Sequence, residues 1–338
     1  MIQTTGKNYA VEFYRILATV LICAHHLYKF PLEYDNLAVC VEFFFLLSGY
    51  FLMRTYDREE RHSCAAFAKR RLSRLYPEYL LAYLVLLPGL CLFHGEHLRL
   101  EVIVPELALL KSTGLFYDGY NYPGWYVCTL FWGELILYCL ISHNRKRFTN
   151  VVAPLLVLFG YTWLFNCGRG IGNLELWDSY FPMLRALCGL SLGVLIHEAQ
   201  RSDLLAGLKL WQGTVLEAAA LGVIVYSLAT DANLWALAIL GFVVLLVVTT
   251  GQRGYLSSVI FNQKFFGSLS ALTYGMYLNQ ALVILFVWYV AGQNYGLKAW
   301  VVYYVTLVIA AAAMHLAVGW LRAFLRKRRE PAGSNAAG

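Results

Sequence analysis

The sequence predicts an all-α membrane protein: a polytopic bundle of about ten transmembrane helices with both termini in the cytoplasm. Three observations carry that expectation. Of 338 residues, 59% are apolar and 14% charged, against roughly 45–50% and 25% in soluble domains. The apolar residues fall in runs near the ~20 residues that a span needs at about 1.5 Å rise each. Finally, 20 of the 27 lysines and arginines fall in alternate connections, five in the others, and Arg15 and Arg185 within spans. The positive-inside rule assigns the richer set of connections, and both termini with it, to the cytoplasm. Aromatic residues at 16% exclude a disordered chain. The net charge of +7 follows from loop asymmetry, so no nucleic-acid partner is expected.

Spans are expected over residues 10–30, 37–53, 75–94, 124–142, 150–166, 180–198, 213–230, 233–250, 268–291 and 299–323. The first carries Arg15, His25 and His26 and lacks a small-residue cleavage site, so it remains as a span and is not a signal peptide. Between the third and fourth, LRLEVIVPELALLK (98–111) reads as an amphipathic surface helix interrupted at Pro105. Only Asp231 and its neighbours separate the seventh span from the eighth. Residues 1–325 form one transmembrane domain, followed by a basic, disordered cytoplasmic tail over 326–338. Its RKRR run reads as an orientation signal and a contact for anionic lipid. The eight cysteines form no CxxC pair and mostly sit in apolar runs, so they read as small buried hydrophobes rather than as metal ligands or disulfides. No metal is expected.

Ionisable residues within spans are costly and point to a partner or a polar cavity. Arg15 and His26 are eleven residues apart, which puts them on one helix face about 16 Å apart. His25 points about 100° away. Glu42, five residues into the returning helix, lies level with His26 and is its expected carboxylate partner. Arg185 enters at similar depth, and Glu134 lies mid-membrane. Glu217 and His25 read as interhelical hydrogen-bond formers, and Ser48 as a packing residue rather than a nucleophile. His26 with Glu42 and Arg15 has the design of a general base.

These residues sit in segments that resemble the acyltransferase 3 family. EFYRILATVLICAHHL is similar to its first-helix signature, VEFFFLLSGYFLMR (41–54) to its second helix, and AFAKRRLSRLYPEYL (66–80) to its arginine-rich third, with Arg71 and Arg74 matching an RxxR pair. Weaker likenesses are WYVCTLFWGELILY (125–138), MLRALCGLSLGVLI (183–196) and FFGSLSALTYGMYLNQ (265–280). The resemblance spans about residues 8–320. It implies a ten-helix bundle in the bacterial cytoplasmic membrane that transfers an acyl group from cytoplasmic acyl-CoA to a carbohydrate hydroxyl. Acetyl is the group most common in the family. The acceptor would be exopolysaccharide, capsule, lipid-linked glycan or peptidoglycan. It also implies functional roles for Arg15, His26, Arg71 and Arg74. Glu42 stands for the usual Asp, Gln280 for a frequent His that can titrate, and Glu134 matches only loosely.

On this reading Arg71 and Arg74, with Arg70 beside them, bind the donor's phosphates at the cytoplasmic mouth. His26 deprotonates the acceptor, or forms a covalent acyl-histidine as a competing route. Arg185, Asn279 or Gln280 stabilises the oxyanion. The rival class is a transporter using the same charges as a substrate or proton path. That class predicts paired interruptions in two related halves, which the sequence does not display.

Overall fold

The computed structural model describes residues 7–27, 35–60, 62–166, 181–202, 207–230, 232, 234–291 and 296–329. Among these residues it is helical, with one isolated bridge between Lys111 and Phe116 and no strand. The helices are α1 Tyr9–His26, α2 Cys40–Tyr56, α3 Cys64–His94, α4 Leu100–Leu107, α5 Gly124–Arg147, α6 Ala153–Asn166, α7 Phe181–Arg201, α8 Leu210–Ala229, α9 Trp235–Thr250, α10 Phe265–Leu269, α11 Thr273–Ala291 and α12 Leu297–Arg329. Seven helices are long and apolar enough to cross a membrane. The expected ten also counts α1, which carries Glu12 and Arg15, and the 16-residue α9. It further divides the run 124–166, which is 43 residues long. That run breaks at Asn144, where φ is −156° and ψ 92°, and both of its halves, α5 and α6, pack against α7.

Helix ends meet at two poles. At one, Asn8 donates to the Thr249 carbonyl (2.8 Å), Tyr50 to Gln200 (3.0 Å), and Arg145 pairs with Asp57 (2.5 Å). This pole gathers the start of α1 and the ends of α2, α5, α7 and α9, and it holds most of the basic connections. At the other, Asn36 ahead of α2 donates to the Thr230 carbonyl after α8 (2.6 Å) and accepts from Trp235 of α9 (3.0 Å).

Two helices outrun the apolar patterns that predict them. α3 begins at Cys64, where the Ser63 hydroxyl accepts from the Ala66 N–H (3.3 Å). The basic, helix-favouring residues 66–74 thus continue the span as one helix, across Pro77. α12 runs to Arg329, so Arg326–Arg329 lie on a helix and not in an irregular tail; residues 330–338 lie outside the described residues. The α3 extension also brings Cys64 to Cys139 of α5 in a disulfide with Cα atoms 5.6 Å apart, against the expectation for the cysteines. Cys23, Cys40, Cys128 and Cys188 are buried as expected, and Cys167 lies outside the described residues.

The closest helix pair is α2 with α7. A Cβ on Gly49 would stand 2.0 Å from the Leu190 carbonyl oxygen, and one on Gly193 equally close to that of Leu46. Small residues thus set this interface, where van der Waals contact drives association. Ser48, next to Gly49, faces Tyr126 of α5.

The connection 95–123 departs from a surface loop. Its α4 keeps Pro105 inside a two-turn helix, and Leu109 and Ser112 follow with φ of 59° and 57°. The chain then folds inward against α3, α5 and α11. Tyr79 donates to the Glu106 carbonyl (2.8 Å), Tyr76 to that of Leu107 (3.0 Å), Trp132 to that of Leu109 (2.9 Å) and Tyr277 to that of Pro123 (2.8 Å). Irregular backbone packed against other helices needs its polar groups satisfied by protein, and these side chains do so.

Candidate functional site

At the basic pole the charged groups of α1 lie within electrostatic reach of the extended start of α3. Arg15, two turns into α1, pairs with Glu12 one turn earlier (2.7 Å), and Lys7 reaches the same carboxylate (3.1 Å). Arg71, half-buried, pairs with Glu134 of α5, which is buried. Arg74 lies within electrostatic reach of Arg71, Arg15, Glu134 and Glu12. Three arginines and two carboxylates from α1, α3 and α5 thus share one region. The guanidinium Nε of Arg71 and the Oε2 of Glu134 are buried and have no hydrogen-bond partner among the described residues. The far side of Arg74 faces α12, where Arg322 donates to its carbonyl (3.3 Å) and Glu78 feels both Arg322 and His315. Arg70 turns away from the cluster to pair with Glu59, and is exposed.

His26 ends α1, eleven residues beyond Arg15, or about 16 Å along the axis. Its imidazole packs on the ring of Tyr122, with centroids 4.9 Å apart, and on His25 at 5.0 Å. Glu42 is not its partner, which corrects the sequence expectation. One Glu42 oxygen pairs with Arg185 and the other accepts from Tyr161 (2.7 Å). Arg185 also donates to the Ala38 carbonyl (3.0 Å), with its guanidinium between the rings of Trp125 and Trp235, 5.4 and 5.1 Å from their centroids. The physical reason is azimuth: Glu42 faces α7, since a Cβ on Gly189 would lie 3.2 Å from its Oε2. The planar guanidinium is also the better match for a buried carboxylate. Glu42 and Arg185 therefore saturate each other as a tie between α2, α6 and α7, and neither reaches His26 as base partner or oxyanion donor.

Of the other oxyanion candidates, Asn279 donates to its own helix at the Gly275 carbonyl (2.8 Å). Gln280 is fully buried, and neither amide atom has a partner among the described residues. It falls between Met276 and Val283, which pack in one cluster with Cys23 of α1 and Leu27 just after it, on either side of His26. Glu217 proves structural as expected, accepting the Leu256 and Ser257 N–H groups (both 3.1 Å).

Sequence reasoning missed Tyr122, which stands against His26, and the pair Glu106–Lys111 behind it. Lys111 Nζ lies 3.6 Å from Glu106 Oε1, and both residues are buried. Burial pushes the Glu106 carboxyl up and the Lys111 ammonium down, each opposed chiefly by the other's charge. The available signal was an acid and a base inside the apolar run 98–111, a costly pattern unless the two meet.

A multi-pass membrane bundle with a basic cluster at one pole and a histidine along the same helix defines the class. The acyltransferase domain of the acyltransferase 3 family matches residues 8–320. The chain belongs to that family of membrane acyltransferases. It is also similar to an amino-acid racemase of Enterococcus faecalis, 27% identical over 203 residues, which are 56% of this chain and 25% of that protein. The chain thus spans about a quarter of that relative's length. No solved structure matches it.

Proposed function

We propose that this protein is a bacterial cytoplasmic-membrane O-acyltransferase, with ten spans and cytoplasmic termini, that moves an acyl group, acetyl first among candidates, from cytoplasmic acyl-CoA to a glycan hydroxyl. One observation supports it above others: α1 carries Arg15 beside the Arg71–Arg74–Glu134 cluster at its basic pole, and His26 about 16 Å further on. That is one pole suited to phosphates and one suited to proton transfer, on a single helix. Arg71, half-buried, and Arg74, exposed, would take the donor's phosphates. The thioester arm then runs along α1 towards His26. His26 takes the acceptor's hydroxyl proton as the oxygen attacks the thioester carbonyl. The tetrahedral oxyanion collapses with cleavage of the C–S bond, and the CoA sulfur leaves with the proton returned by His26. Gln280 is the candidate oxyanion donor, because its amide is buried and uncommitted among the described residues. Membranes holding the protein and labelled acetyl-CoA should transfer label to a glycan fraction. Label confined to free acetate, or absent, refutes the reading.

A further inference from the structure

The backbone on both sides of Tyr122 is clamped. Asn121 gives its N–H to Glu106 Oε1 (3.1 Å), takes Lys111 Nζ on its carbonyl (2.9 Å) and donates its amide to the Leu278 carbonyl (3.4 Å). Pro123 accepts from Tyr277 (2.8 Å). One residue earlier, Tyr120 N–H donates to Glu106 Oε2 (2.7 Å). Glu106 thus spends each carboxylate oxygen on a backbone N–H, and Lys111 closes the ring from the other side. The pair packs closely against the backbone at Gly119, where a Cβ would stand 2.6 Å from Lys111 Nζ and 2.8 Å from Glu106 Oε1 and would displace both side chains.

We propose that Glu106, with Lys111, is a positioning residue that fixes Tyr122 against the His26 imidazole. Two buried charges are a costly way to fill space, and an apolar pair of the same volume serves stability as well or better. What the pair supplies is direction: two acceptor oxygens and one ammonium aimed at three backbone groups within two residues. The Tyr122 ring, held between two anchored neighbours, stands 4.9 Å from the imidazole centroid with the two planes tilted by 54°, close enough to restrict the imidazole if its own position is fixed. A base that must meet a hydroxyl and a thioester together benefits from such fixing. The catalytic value of this arrangement rests on His26 being the base, but the arrangement itself does not.

Diethyl pyrocarbonate, which carbethoxylates neutral imidazole, reads the contact directly in the full-length protein in membranes. The rate at His26 is followed by peptide mass spectrometry, with His62 at the basic pole as reference. Tyr122→Leu should raise the His26 rate by roughly fivefold or more, as expected when a local contact of 1–2 kcal/mol is lost. Glu106→Ala should do the same, and on the Tyr122→Leu background it should add nothing further. Should Glu106→Ala fail to accumulate, Glu106→Gln with Lys111→Met removes both charges together and should give the same rise. A His26 rate unchanged by Tyr122→Leu, or by whichever Glu106 variant accumulates, overturns the proposal. So does full additivity in the double variant. Because neither acyl-CoA nor acceptor is present, this outcome is separate from the transfer reading, which falls instead if His26→Ala still transfers label.

Discussion

At the scale of single residues, the bundle contains two kinds of buried polar group, and they should answer mutation differently. Glu42 and Arg185 saturate each other. Removing one charge strands its partner in a low-dielectric interior, at a cost of about 3–5 kcal/mol. Glu42→Gln or Arg185→Met alone should therefore lower the Tm of the purified protein markedly, while the double apolar replacement Glu42→Leu with Arg185→Leu should recover much of it. A melting series in detergent checks this. His26 has the opposite profile. His26→Ala should leave the Tm close to the parent's and cut acetyl transfer by at least the roughly 10²–10⁴-fold of general base catalysis, whereas His25→Ala should cost little. Transfer assays at matched expression, read beside the melts, separate the two classes. Sequence made the burial of Glu42 legible but not its partner. Depth can be counted along a helix, and His26 and Arg185 both lie at the right depth. Which of them faces Glu42 depends on how α2 is rotated in the bundle, and that is set by Gly49 and Gly193 meeting the backbone of the neighbouring helix.

Helices follow the same division between what a pattern reveals and what packing decides. Apolar periodicity located an all-helical bundle, seven of whose described helices are long and apolar enough to cross a membrane, but it missed where helices stop. α3 begins eleven residues before the apolar run expected at 75, and α12 continues to Arg329. A helix leaving the membrane needs only favourable residues and a cap, not an apolar face. The consequence for α3 is that Arg71 and Arg74 stand on the same helix as Tyr79. The Arg71→Ala Arg74→Ala variant should weaken acyl-CoA binding, and parent binding should fall as ionic strength rises, as expected for phosphate contacts open to solvent. Equilibrium binding at two salt concentrations tests both statements. Between α2 and α7, Gly193→Val should prevent the helices from closing. It should lower folded yield on size-exclusion chromatography even though no polar group is lost.

For the whole molecule, sidedness is the property from which the donor assignment follows. Single cysteines in the 62–74 segment should resist an impermeant maleimide added to intact cells, and become reactive when the membrane is opened. The connection 95–123 should give a split pattern. Its exposed residues, such as Leu100 and Leu115, should label from outside, while Glu106, Lys111 and Asn121 stay protected by burial. Uniform labelling across 95–123 would contradict the inward fold, and labelling of 62–74 in intact cells would invert the orientation. Sequence indicated an amphipathic surface helix over 98–111 here. It did not reveal the inward turn, because the groups that satisfy its backbone come from α3, α5 and α11, far apart in the chain. That dispersal also bears on the order of events during synthesis. Segment 95–123 is made after α3 but before α5 and well before α11, so of its final partners only Tyr76 and Tyr79 exist when it leaves the ribosome. A nascent chain arrested ahead of Leu278 would hold Glu106 and Lys111 without Tyr277 or the Leu278 carbonyl to close the pocket around them. Such a chain should be the stage most open to a membrane protease, with resistance gained in a step once α11 has joined the bundle.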